Sequence, residues 1–75
     1  MRARQKDYAR ALLDYERAVA LDPGRALHWH LCGNARREVG DLAGAIAALE
    51  RALELDPRAS WAASDRKHLE ALKSG

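Results

Sequence analysis

The chain has 75 residues, of which 48% are apolar, and thirteen basic against eleven acidic side chains leave a net charge of +2. This length allows one domain at most, the apolar content is too high for a disordered chain, and the balanced charge does not require a nucleic-acid or membrane partner. A single cysteine excludes an internal disulfide, and the apolar runs are too short for a membrane span or a signal-peptide core, so we expect a cytoplasmic protein.

The residue types predict an all-α fold. Sixteen Ala and eleven Leu favour helices, whereas Phe is absent and Ile occurs once, so residues that favour strands are scarce. The first and third helices are expected to end where Asp precedes Pro, and Gly40-Asp41 is expected to close the second helix and cap the third. In chain order, the four predicted helices cover residues 4–21, 26–39, 42–55 and 59–73.

The chain contains an internal repeat with a period of 34 residues. Leu-Asp-Pro occurs at 21–23 and again at 55–57, and nine of the seventeen residues over 7–23 are identical at this offset. The apolar residues of each copy recur at intervals of three and four, which indicates one buried stripe on a helix. The repeat predicts that the two copies have the same local structure.

Aromatic, small and Pro residues stand at fixed intervals within the repeat, namely at Trp29, Cys32, Gly33, Asn34, Arg36, Gly40, Asp41, Ala45, Leu49, Ala52 and Pro57. In this spacing the chain resembles the tetratricopeptide repeat family, whose pattern combines such positions over 34 residues. Gly33 and Ala45 are small residues that allow two antiparallel helices to approach closely. Two positions depart from the pattern, because Cys32 is small for a core site and Arg36 must extend its charged end to solvent.

The resemblance implies a short α-solenoid of antiparallel helix hairpins, with about one and a half repeats and a C-terminal capping helix. Residues 1–25 are expected to hold the second helix of a truncated first repeat, 26–59 a complete repeat, and 60–75 the capping helix and tail. Lys6 occupies the position equivalent to Gly40, where a left-handed turn favours glycine, so no helix is expected before it.

The fourth helix is predicted to end the array. Arg66 and Lys67 occupy the positions equivalent to Cys32 and Gly33, and a following helix would bury their charges without partners. We therefore expect Arg66, Lys67 and Glu70 to face water. The side chains expected to point inward are Trp61, Ala62, Leu69 and Leu72.

In the family that the chain resembles, the first helices of successive repeats line a concave face that binds a peptide. The residues at the corresponding side of the second and fourth helices are Leu27, His30, Asn34, Arg37, Trp61, Ser64 and His68. Their mixture of aromatic, amide and cationic groups suits a peptide with an acidic or polar group. The alternatives are a solvated helix face without a ligand, and a core position for Trp61.

The first helix has an apolar side formed by Tyr8, Leu12 and Tyr15, which normally packs against a preceding helix. We expect another polypeptide to cover this side: a second copy of the chain in a homo-oligomer, another subunit, or upstream repeats. A frayed helix that tolerates exposure is the alternative, because isolated apolar residues are common on protein surfaces.

Other functions are disfavoured by the residues. Some relatives bind a C-terminal carboxylate through a set of Lys, Asn and Arg side chains, of which only Asn34 has a counterpart here, and Asp65 would repel such a ligand. His28 and Cys32 share a helix face, but a zinc site needs three or four ligands, so neither a metal nor any other cofactor is expected. No catalytic constellation occurs, and Cys32 at an apolar packing position is expected to be unreactive, so the chain is not expected to be an enzyme.

Nucleic acid is also not expected as a partner. Arg36-Arg37 and Arg66-Lys67 offer a basic strip, but the charge is divided as +2, −1 and +1 over residues 1–25, 26–59 and 60–75. The sequence therefore predicts a non-catalytic adaptor or scaffold that binds another protein. The alternative is a structural role, either as the terminal repeats of a longer protein or as a self-assembling subunit with no groove ligand.

Overall fold

A computed structural model describes residues 5–74 as four α-helices connected by short turns. The helices are α1 (Gln5–Leu21), α2 (Ala26–Glu38), α3 (Leu42–Leu55) and α4 (Ala62–Ser74). α2 packs most extensively against α3, with α1 on one side of this pair and α4 on the other. The all-α fold predicted from the sequence is confirmed.

The turn between α2 and α3 uses the two residues that the sequence indicated. Gly40 has a φ of 91°, a left-handed conformation that L side chains rarely adopt. The Gly40 amide donates to the Arg37 carbonyl and the Asp41 amide donates to the Arg36 carbonyl, which satisfies the last carbonyls of α2. The Asp41 carboxylate then accepts from the Gly44 amide at 3.1 Å and caps α3.

Close contact between α2 and α3 depends on Gly33. A Cβ atom at this position would lie 2.7 Å from Cδ2 of Leu49 and 3.2 Å from its backbone nitrogen. Leu49 itself is fully buried, so the contact leaves no space for a larger residue. The core around this crossing consists of small side chains and a few large ones, namely Val19, Cys32, Ala35, Ala45, Ala48, Leu49, Ala52, Ala62 and Leu69.

The fourth helix begins three residues later than predicted, at Ala62 instead of residue 59. The Asp56 side chain accepts from the Arg58 amide, and its carbonyl accepts from the Ala59 amide, so the chain continues as a turn after Pro57. On α4, Ala62 and Leu69 are buried and Leu72 is half-buried, whereas the predicted water-facing residues are exposed. These exposed residues are Arg66, Lys67 and Glu70.

Candidate docking groove

An open groove of about 420 Å³ lies between α1 and α2. Its lining residues are Asp7, Tyr8, Ala11, Tyr15, Leu31, Asn34, Ala35, Arg37 and Glu38. The sequence assigned Tyr8 and Tyr15 to one surface and Asn34 and Arg37 to another, yet all four border this groove. Two predicted surfaces therefore meet at one site.

The groove combines an apolar floor with a polar rim. The apolar lining includes the rings of Tyr8 and Tyr15 from α1 and the side chain of Leu31 from α2. On the rim, Nη2 of Arg37 donates to Oδ1 of Asn34 at 3.3 Å and lies 3.3 Å from a carboxylate oxygen of Glu38. Apolar anchors surrounded by oriented polar groups are typical of surfaces that bind a protein segment.

The internal repeat explains why this groove is open. At the offset of 34 residues, Ala11 and Tyr15 of α1 correspond to Ala45 and Leu49 of α3. α2 covers α3, and Ala45 and Leu49 both have 0% exposure, whereas Ala11 and Tyr15 are only half-buried. The groove occupies the place on α1 that α2 fills on α3.

A part-buried polar network that shares Asn34 with the groove joins α2 to α4. Nδ1 of His30 lies 2.9 and 3.0 Å from the two carboxylate oxygens of Asp65, which has 0% exposure. Because a carboxylate only accepts hydrogen bonds, the proton lies on Nδ1 and His30 is the donor. Nδ2 of Asn34 donates to the His30 carbonyl at 3.0 Å and lies 3.5 Å from Asp65.

Sequence reasoning missed the structural role of Asp65. Its position corresponds to Leu31 of α2, so the repeat itself marks an acidic side chain at a position that is apolar in the preceding copy. A buried carboxylate requires a donor, and His30 on the neighbouring helix provides one. That substitution within the repeat was the available signal.

A family model described as tetratricopeptide repeat matches residues 1–74. The chain belongs to the tetratricopeptide repeat family. Repeats of this family generally mediate protein–protein interactions, and the family is typically non-catalytic. No curated protein matches the chain.

The remaining residues of the predicted tetratricopeptide concave face have different environments. The Trp61 ring stacks on His30, with centroids 4.4 Å apart and an interplanar angle of 12°. Leu27 is 46% exposed and Ser64 is exposed. His68 is half-buried, and its Nδ1 has no hydrogen-bond partner among the described residues. On α1, Leu12 is half-buried, and it does not line the groove.

The two departures from the tetratricopeptide pattern have clear environments. Cys32 is fully buried, and desolvation raises the pKa of its thiol, although the nearby Arg36 acts in the opposite direction. Arg36 is half-buried and donates to the Gly44 carbonyl and to the Glu16 carboxylate, each at 3.2 Å. The charged end of Arg36 thus connects the first turn of α3 to α1.

Three further features bear on the functions that the sequence disfavoured. In the described part of the chain, no three His, Cys, Asp or Glu side chains are grouped so as to hold a metal ion. Among residues 5–74, no helix has both the length and the apolar character needed to cross a membrane. Of the residues of the predicted basic strip, Arg36 bonds to Glu16 and Arg66 donates to the Pro57 carbonyl at 2.8 Å.

Proposed function

We propose that this tetratricopeptide repeat protein is a non-catalytic interaction module that docks a helix or peptide of a partner in the groove between α1 and α2. The observation that supports this proposal most directly is the half-buried Tyr15 ring, whose equivalent on α3, Leu49, is fully buried, together with the half-buried Tyr8 ring that lines the same groove. Covering these rings removes apolar surface from water, at about 25 cal/mol per Å². The Asn34–Arg37 pair on the rim offers polar groups that orient the bound segment.

In this proposal the predicted concave face is divided between two roles. His30 and Trp61 join α2 to α4 through their stacked rings, and the bond to Asp65 engages Nδ1 of His30. Asn34 and Arg37 remain at the groove, with Leu27, Ser64 and His68 available along the outer side of α2 and α4. We also propose the division of the chain into residues 1–25, 26–59 and 60–75, as the repeat period suggests. The cytoplasmic location stays a prediction from the sequence.

The second candidate function is structural, in which stacking against a neighbouring subunit or further repeats uses the α1 side and no peptide binds. The His30–Asp65 contact favours this alternative, because it fills the concave side with an intramolecular network. The two functions differ in where a second polypeptide makes contact. Peptide docking brings it to both α1 and the Arg37 side of α2, whereas stacking through Tyr8, Leu12 and Tyr15 leaves the His30–Arg37 face empty.

Site-specific photo-crosslinking in cells distinguishes these possibilities. A photoreactive phenylalanine analogue replaces Tyr8 in the groove or, as the control, Leu13, which is 68% exposed on the same helix. We expect the same crosslinked protein to be recovered by mass spectrometry from position 8, to be absent from position 13, and to be lost when Arg37→Ala is added. Equal crosslinking at both positions, or none at position 8, contradicts groove docking. Crosslinking at position 8 that Arg37→Ala leaves unchanged favours the structural alternative.

A further inference from the structure

His30 differs from the other two histidines of the chain in how its ring is held. All three histidines are half-buried. In His28 and His68, Nδ1 is buried and has no hydrogen-bond partner among the described residues. In His30, Nδ1 lies 2.9 and 3.0 Å from the two carboxylate oxygens of Asp65, which is fully buried. The fold thus builds one imidazole–carboxylate pair and leaves the other two rings without such a partner.

We propose that Nε2 of His30 is a phosphorylation site, which accepts a phosphoryl group from a donor with a good leaving group, such as an acyl phosphate or a phosphoramidate. His30 does not line the groove between α1 and α2, so this site goes beyond the docking function proposed above. Three features of the ring support it: the position of its proton, its fixed orientation, and the groups that stabilise the charge it gains.

The bond to Asp65 determines which ring nitrogen is the nucleophile. Because the proton lies on Nδ1, the free electron pair lies on Nε2. The side chain of His30 is 18% exposed, and Nε2 is not among the buried polar atoms that lack a partner, so this nitrogen reaches solvent. A carboxylate bonded to one nitrogen of an imidazole also strengthens the other nitrogen as an electron-pair donor. Nε2 of His30 is therefore both accessible and activated.

Trp61 fixes the plane of the His30 ring without covering the reactive nitrogen. The two rings stack with their centroids 4.4 Å apart and an interplanar angle of 12°. Stacking covers one face of the imidazole, whereas the electron pair on Nε2 lies in the plane of the ring. Together with the bond to Asp65, the stacking restricts rotation of the side chain. Nε2 therefore keeps one orientation toward an incoming phosphorus atom.

The transfer leaves a cationic ring, which Asp65 and Trp61 stabilise. The electron pair on Nε2 attacks phosphorus, an N–P bond forms, and the bond from phosphorus to the leaving group breaks. A phosphoramidate then releases ammonia, and an acyl phosphate releases a carboxylate. The proton stays on Nδ1, so the ring gains one positive charge, which the Asp65 carboxylate compensates. The stacked Trp61 ring stabilises the same charge from one face.

The start of α4 favours the negative charge of the bound phosphoryl group. Asp65 lies in the first turn of α4 and Trp61 immediately precedes this helix, so the His30 ring lies at the N-terminal end of α4. The dipole of a helix is positive at this end and attracts an anion. Asp65 repels the phosphoryl group, but the two are attached to opposite nitrogens of the ring, whereas the cationic ring lies between them.

The test measures phosphorylation of each histidine in the intact chain. Potassium phosphoramidate is the phosphoryl donor, and phosphorus NMR together with mass spectrometry of peptides gives separate rates for His28, His30 and His68. The same measurement on the chain unfolded in urea gives the reactivity of each histidine without tertiary contacts. Diethyl pyrocarbonate, which acylates accessible imidazoles, is the second reagent and reports nucleophilicity alone.

In the native chain we expect Nε2 of His30 to be phosphorylated at least about tenfold faster than His28 or His68, and in urea we expect similar rates for all three. Asp65→Asn keeps an acceptor for Nδ1 but removes the negative charge, so the rate at His30 is expected to fall about tenfold. The matched control is Glu70→Gln, which removes an exposed carboxylate from the same helix and is expected to leave the rate unchanged.

Three results overturn the inference. The first is equal phosphorylation of the three histidines in the native chain, and the second is a rate at His30 that a folded Asp65→Asn variant leaves unchanged. The third is selective acylation of His30 without phosphorylation, because the ring would then be a nucleophile that a phosphoryl donor does not reach. If circular dichroism shows that Asp65→Asn unfolds, the comparison of the native with the urea-unfolded wild-type chain decides the outcome.

Discussion

The contact between Gly33 and Leu49 offers the sharpest test of the packing that creates the groove. In Gly33→Ala, the new Cβ atom lies 2.7 and 2.8 Å from two carbons of Leu49 and 3.2 Å from its backbone nitrogen. Leu49 is fully buried, so it cannot move aside, and overpacking of this kind costs about 1–3 kcal/mol. Alanine also favours a helix over glycine by about 1 kcal/mol, which offsets part of this cost.

The net loss expected for Gly33→Ala is therefore about 1 kcal/mol, and Gly33→Leu, which adds three more carbons at the same point, loses more. For a domain of this size, 1 kcal/mol lowers the melting temperature by about 4–8 °C. Urea unfolding followed by helical circular dichroism measures both variants. The matched control is Gly24→Ala, because a Cβ atom there meets nothing within 4 Å, and we expect its stability to stay equal or to rise slightly. If Gly33→Leu proves as stable as the wild type, α2 and α3 do not cross closely, and the argument for the groove fails with that contact.

Further predictions concern the polar network, the buried thiol, the turn and the groove rim. Asp65→Ala is expected to destabilise the fold by about 2–3 kcal/mol in urea unfolding and Asp65→Asn by less, because an amide oxygen still accepts from His30. Equal losses for the two variants would show that the hydrogen bond from His30 does not stabilise the fold. Burial raises the pKa of the Cys32 thiol above 9.0, so the thiol ionises first in the unfolded chain. The free energy of unfolding is therefore expected to fall as the pH rises above about 9, and to fall less in Cys32→Ala than in the wild type. Identical dependence of this free energy on pH between about 8 and 10 in the two proteins contradicts this. Gly40→Ala is expected to cost about 1 kcal/mol or more because of the left-handed φ, and a thermal melt unchanged by the substitution argues against that turn. Arg37→Ala is expected to weaken capture of the crosslinked partner while the melting temperature stays within about 3 °C, and full capture would remove Arg37 from the groove.

Local features of the fold were predictable from the sequence because each depends on residues close along the chain. Gly40 and Asp41 marked the turn, the two Asp-Pro pairs marked the helix ends, and the 34-residue period related one copy to the other. The start of α4 was predicted too early, since the turn after Pro57 is set by hydrogen bonds from the Asp56 side chain and backbone, which propensities do not report.

The site was less predictable because it depends on distances between helices. Tyr8 and Asn34 were assigned to separate surfaces, and only the packing of α1 against α2 brings them to one groove. Asp65 was considered only as an acidic residue that would repel a carboxylate ligand, whereas tertiary contacts bury it and pair it with His30. In both cases the sequence indicated the residue types, and the relative placement of the helices determined their role.

Asn34 belongs to both the groove and the polar network of His30 and Asp65, so this residue connects the two. Its amide nitrogen donates to the His30 carbonyl and lies near Asp65, while its amide oxygen accepts from Arg37 on the groove rim. A bound segment that draws Arg37 away from Asn34 frees the amide oxygen of Asn34. The amide nitrogen keeps its hydrogen bond to the His30 carbonyl. The bond to the His30 carbonyl therefore holds the orientation of the Asn34 amide, with Asp65 of α4 3.5 Å from its nitrogen, and a fixed acceptor loses less conformational freedom on binding than a mobile one. By this reasoning α4 contributes to the groove as well as packing against α3, because Asp65 lies beside a polar group of the groove.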